Sequence, residues 1–239
     1  MTDHPHGHPE DEAPEGRGKR LWILAGIVGV VAITKFVLAL PELRANRITA
    51  NESAAIATLK NISSAQSQCQ ASGVIDVNRN GTGEYGFFGE LAVAVASRSG
   101  APIGPPALSR AFGDVAGGRV ERAGYVFQMF LPDREQRGVA EDAAGGDPGN
   151  DNGVDPDHAE TLWCCYAWPQ RQGKSGRRAY FVNQAGDVLA SIGEAVAYDG
   201  ARRSCEFHAA FCGGRERSMA APVAANTVAQ DGNMWVYVG

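Results

Sequence analysis

Oxygen-bearing side chains fall on every second residue of "DVNRNGTGEYG", residues 76–86: Asp76, Asn78, Asn80, Thr82 and Glu84, with Gly81 following the third of them. A calcium loop of the EF-hand type needs this alternation. Its ligands come from positions one, three, five, seven through a carbonyl, nine and twelve, and the sixth residue is a glycine that turns sharply. The twelfth position here is Phe87, where the usual bidentate glutamate is missing. The spacing predicts weak, structural calcium binding by the side chains of Asp76, Asn78, Asn80 and Glu84 and the carbonyl of Thr82, with water in the twelfth place. The competing reading is a Gly/Asn turn whose side chains bond their own backbone.

A second set of oxygens lies in "EDAAGGDPGNDNGVDPDHAE", residues 141–160, which carries seven carboxylates and no Lys or Arg. Such charges repel unless a cation gathers Asp147, Asp151, Asp155 and Asp157, so the segment is either a mobile acidic loop or a cation site. A nucleophile set can also be assembled from Cys164 or Cys165 with His158 or His208 and Asp157. Alternating large side chains in "WCCYAW" favour core packing or a disulfide over that cysteine hydrolase. No paired C-x-x-C or H-x-x-x-H spacing suggests zinc.

Positioning such groups is the work of the rest of the 239 residues. With 22 Lys plus Arg against 27 Asp plus Glu, the formal charge of −5 has the wrong sign for a nucleic-acid binder. Residues 1–20, with His4, His6 and His8, hold too little apolar surface to order, and they read as a disordered cytoplasmic tail. "LWILAGIVGVVAITKFVLAL", residues 21–40, would run about 30 Å as a helix, which predicts a single membrane span. Arg17, Lys19 and Arg20 before it outnumber Arg44 and Arg47 after it. That margin puts the N-terminus in the cytoplasm and the bulk outside an inner membrane, where disulfides persist.

From 41 to 72 the helix is expected to continue as an amphipathic half, because Ile48, Ala55, Leu59, Ile62 and Cys69 recur at helical spacing. Beyond Gly73 the pattern shortens to strand-like runs at 124–130, 161–168, 178–183, 187–190 and 234–238, divided by turn residues. "NQAG" at 183–186 reads as a hairpin connection. Cys69 falls on the helix's apolar face as a small hydrophobe. Cys164, Cys165, Cys205 and Cys212 could form two bridges of undetermined pairing, and two adjacent strand cysteines face opposite ways.

A hydrophobic span that runs without a loop into "NESAAIATLKNISSAQSQCQ" (51–70) resembles the type IV pilins and pseudopilins, and most of all the pilin-like proteins of planctomycete-type bacteria. "GTGEYGFFGEL" (81–91), "AETLWCCYAWP" (159–169) and "GRRAYFVNQAGDVLA" (176–190) are similar to segments of those proteins in the same order. The sequence departs from the family in lacking its basic leader ending in glycine and the phenylalanine and glutamate that follow. The resemblance implies an α+β fold, a long N-terminal helix packed on a small antiparallel sheet. It also implies a non-catalytic, membrane-anchored structural or assembly protein, associating with itself or with other pilin-like subunits through the 21–70 helix. The alternative is a monomeric, tethered module that binds a wall component or small ligand. Residues 73–239 form the globular part on either reading.

Overall fold

Good helix formers and the absence of Gly or Pro between Glu42 and Ser72 favour a helix there, and α1 spans Glu15–Ser72 in the computed structural model. The structure describes residues 15–100, 103–149, 153–193, 195–214 and 217–238, with side chains from Glu42 onward. The N-terminal tail with His4, His6 and His8 lies outside these residues, as do Asp151 and the side chains of 21–40. Two units divide the chain, Met1–Ala45 and Asn46–Gly239. Within the second, α1 buries Ile48, Ala55, Leu59, Ile62, Ala65 and Cys69, the face that the spacing predicted. Gly73, at φ 63°, then ends the helix in the left-handed conformation that glycine adopts at little cost.

Among the described residues eight strands follow: β1 (Val120–Arg122), β2 (Tyr125–Pro132), β3 (Gly138–Ala140), β4 (Cys164–Pro169), β5 (Tyr180–Asn183), β6 (Leu189–Ile192), β7 (Thr227–Val228) and β8 (Met234–Tyr237). They form one antiparallel sheet in the order β1-β2-β4-β5-β6-β8-β7, with β3 also paired to β2. Two short helices, α2 (Phe88–Leu91) and α3 (Pro156–Ala159), lie in the connections. Each run expected to be extended contains a strand, and β5 and β6 pair across the NQAG turn.

Side chains alternate across this sheet, so it packs on both faces. Tyr125, Phe127, Met129, Cys165, Ala167 and Val182 join α1 in one core. Val126, Phe130, Cys164, Tyr166, Phe181 and Trp235 meet the 198–224 segment in a second. The expected fold class, a long helix on a small sheet, is therefore corrected. The sheet is large and two-sided, and the helix covers only one of its faces. β1, β3 and β7 are two or three residues long. They hold too few positions to show the alternation by which strands are recognised in sequence.

The membrane expectation is corrected as well. Among the described residues no helix is long and apolar enough to cross a membrane. The described part of α1 alternates its buried face with exposed Arg44, Arg47, Lys60 and Gln68, a pattern that suits a helix lying on a sheet. A single-pass inner-membrane protein, and the pilin and membrane descriptors that went with it, are not supported.

Candidate functional site

Loop 76–84 leaves α1 and closes on its own backbone. Asp76 accepts from the N–H groups of Asn80 and Gly81, both at 3.1 Å, Asn78 Oδ1 accepts from Asn80 N at 3.1 Å, and Asn80 Oδ1 from Thr82 N at 2.8 Å. Two carboxylates that the spacing did not foresee approach from α3. Asn78 Nδ2 donates to Asp157 Oδ1 at 2.6 Å and to Glu160 Oε1 at 3.2 Å, and Asn80 Nδ2 donates to Glu160 Oε1 at 2.7 Å. Asp76, Asn78, Asn80, Asp157 and Glu160 thus share one surface.

Glu84 does not join them. It is fully buried and accepts from Val77 N at 2.6 Å and Arg98 Nη2 at 3.2 Å. Burial raises its carboxyl above the usual range, against the pull of the Val77 N–H and the Arg98 guanidinium. Ligand position nine is therefore turned inward. The Thr82 backbone N–H is held by Asn80, and its side chain is exposed.

Glu84 belongs to a buried charge cluster. Arg98 Nη1 lies 3.4 Å from Glu90 Oε2, and Arg98 Nη2 also donates to Tyr85 O at 2.6 Å. Glu90 in turn accepts from Phe87 N at 2.9 Å and Arg98 N at 2.8 Å. Beside it, Glu141 accepts from Phe88 N, Gly89 N and Gly146 N. Burial pushes the Glu141 carboxyl up to about 7, the three N–H groups opposing the rise and nearby Glu90 adding to it. Glycine is required around this cluster. A Cβ on Gly83 would stand 1.9 Å from Gln70 O, and one on Gly118 2.3 Å from Glu141 O. The glycines and acids of "GTGEYGFFGEL" were visible in the sequence, but nothing in it paired Glu84 and Glu90 with Arg98, or the motif with Glu141.

Of the four aspartates that the acidic stretch 141–160 offers a cation, the three described ones each make bonds within the protein. Asp147 accepts from Gly149 N, Asp155 caps α3 by accepting from His158 N, and Asp157 reaches Asn78. Among the described residues no three His, Cys, Asp or Glu side chains are grouped to hold a metal.

All five cysteines carry free thiols, so the expected bridges are absent. Cys164 and Cys165 are fully buried on opposite faces of β4, donating to Phe207 O at 3.9 Å and Tyr166 O at 3.7 Å. Burial holds both thiols, and Cys205, well above the ordinary value. His158 meets the Asp133 carbonyl, Asp155 and Gln136, and none of its contacts is a cysteine. The hydrolase set that uses His158 is therefore not assembled.

Compared with known proteins, the chain matches no family model, no curated protein and no solved structure.

Proposed function

We propose that the protein is a non-catalytic structural or assembly subunit, which works by associating with further copies of itself. The observation that carries this reading is the use to which its chemically capable groups are put. Gln66, Glu84, Glu90, Arg98 and Glu141 are all engaged in bonding main chain, which holds segments of the fold in place. The three stretches similar to pilin-like proteins have the same character. Residues 81–91 dock on α1, 159–169 supply the central strand β4, and 176–190 form the β5–β6 hairpin.

Buried, protonated thiols also weigh against a cysteine nucleophile, because the thiolate is the reactive form. Sedimentation velocity of the full chain over a range of concentrations tests the reading. A mass that grows with concentration supports it. A monomer throughout, in low salt and high, overturns it in favour of a monomeric binding module.

A further inference from the structure

Charge is segregated along the second unit. At one end, Asn51 Nδ2 donates to Ser175 O and Glu52 accepts from Arg177 N and Arg178 Nη2, which fixes the basic loop 171–178 beside the start of this part of α1. At the other end, Cys69 Sγ meets Glu84 O, and loop 76–80 meets α3. Nineteen residues of helix at 1.5 Å each separate Asn51 from Gln70, about 28 Å. Strand β2 shows the same axis. Tyr125 pairs with Pro169 beside the basic loop, and Pro132 O accepts from Asp155 N beside α3.

The basic end is concave. A cleft of about 470 Å³ is lined by Arg171, Lys174, Arg202 and Asp199 among others. Asp199 accepts from Gln172 N at 2.8 Å and lies 3.9 Å from Arg202 Nη1, and the lining holds three cations to this one carboxylate. Arg177 and Arg203 add exposed charge beside it. The opposite end presents Asp76, Asp157 and Glu160, with Arg79 as the cation of the same loop. Asp133 and Glu135 of the β2–β3 turn are offset by Arg134 and Arg137.

We propose that a second copy of this chain docks its Asp157–Glu160 end into the Arg171–Lys174–Arg202 cleft, head to tail. The inference rests on the associating role proposed above and names its surfaces. Both halves of the contact are on one chain, at opposite ends of the helix between Asn51 and Gln70, so one copy cannot satisfy its own cleft and each added copy presents a fresh one. Opposite potentials steer such an encounter and fix its polarity. An overall charge of −5 makes a free polyanion the poorer occupant.

Two charge-reversal variants of the full chain test this. Arg171→Glu/Lys174→Glu cancels the net positive charge of the cleft end, and Asp157→Lys/Glu160→Lys makes both ends basic. All four positions are on the surface or at its edge, and circular dichroism establishes that each variant is folded before it is used. Each variant alone is expected to lose self-association by ~tenfold or more, an equimolar mixture is expected to regain it, and wild-type association is expected to weaken as salt shortens the Debye length. Association that persists unchanged in both variants overturns the head-to-tail contact while leaving the subunit reading intact. A wild-type chain that is monomeric in every condition overturns both. Wild type that stays monomeric yet binds a labelled polyphosphate, with loss of binding in Arg171→Glu/Lys174→Glu, assigns the cleft to polyanions and overturns the proposal.

Discussion

Gln66 holds Gly86 from both sides. Its Nε2 donates to Gly86 O at 2.7 Å while its Oε1 accepts from Gly86 N at 3.0 Å, in a fully buried contact between α1 and the segment that follows it. A strand neighbour would make the same two bonds, so the side chain stands in for a missing ladder. Gln66→Leu keeps the volume and removes both partners, leaving a buried N–H and C=O unpaired. The expected loss is about 2–4 kcal/mol of unfolding free energy by urea titration. A loss within 0.5 kcal/mol, roughly the scatter of surface substitutions, shows that the junction is not held this way.

The Arg98 guanidinium serves two carboxylates, Glu84 and Glu90, with all three side chains at most 5% exposed. Removing a buried partner costs more than the pair contributes, because the orphaned charge remains buried. Arg98→Met is expected to cost about 3–5 kcal/mol. Adding Glu84→Gln to it recovers part of that loss, since one of the two stranded charges is gone. Strict additivity of the two substitutions in a double-mutant cycle shows instead that they do not interact.

Much of this cluster was legible only in part. The alternation in "DVNRNGTGEYG" correctly marked a polar loop after the helix, and it assigned Glu84 to the same surface as Asp76 because a two-residue repeat treats every second side chain alike. Main chain between Thr82 and Tyr85 breaks that repeat, pairing Glu84 N with Ile75 O and Tyr85 N with Ala159 O, so Glu84 points into the fold. The buried helix face was readable because Ile48 to Cys69 obey one period over several turns. Asp157 and Glu160 were out of reach, because 79 residues separate Asn78 from Asp157 and no local pattern records a contact at that distance.

Glu141 gives the protein a pH signature. Its folded value of about 7 lies above the unfolded 4.5, so its contribution to stability is fully present below the unfolded value and is lost as pH rises through about 7. Glu84 is raised too and acts in the same direction, whereas His208, lowered by burial, favours stability at the higher pH. The comparison of wild type with Glu141→Gln isolates the one group. Between pH 4.5 and 7 the stability of wild type relative to the variant is expected to fall by at most about 1.4 kcal/mol per pH unit. Parallel curves across that window refute a raised Glu141.

Thiol accessibility separates free cysteines from bridged ones. Cys69, Cys164, Cys165 and Cys205 are buried, and burial pushes the Cys69 thiol up to about 12, whereas Cys212 is half-buried. Maleimide labelling of the folded chain, read by mass, is expected to add one adduct at Cys212. Denaturant without reductant should bring the total to five. A total of three or one after unfolding reveals one or two disulfides.

Asp76 closes loop 76–84 through Asn80 N and Gly81 N, so Asp76→Ala is expected to cost about 1 kcal/mol whether or not a cation is present. Calcium at this loop makes a separate demand. Glu84, the ninth-position oxygen that the spacing offers, stays on Val77 N and Arg98, and no three acidic side chains among the described residues are grouped to hold a metal. Millimolar calcium is therefore expected to leave the unfolding midpoint of the full chain where chelator leaves it, since only a ligand that binds the folded state moves it by mass action. A rise that is lost in Asp76→Ala and in Glu84→Gln would restore the ligand set that the spacing suggests.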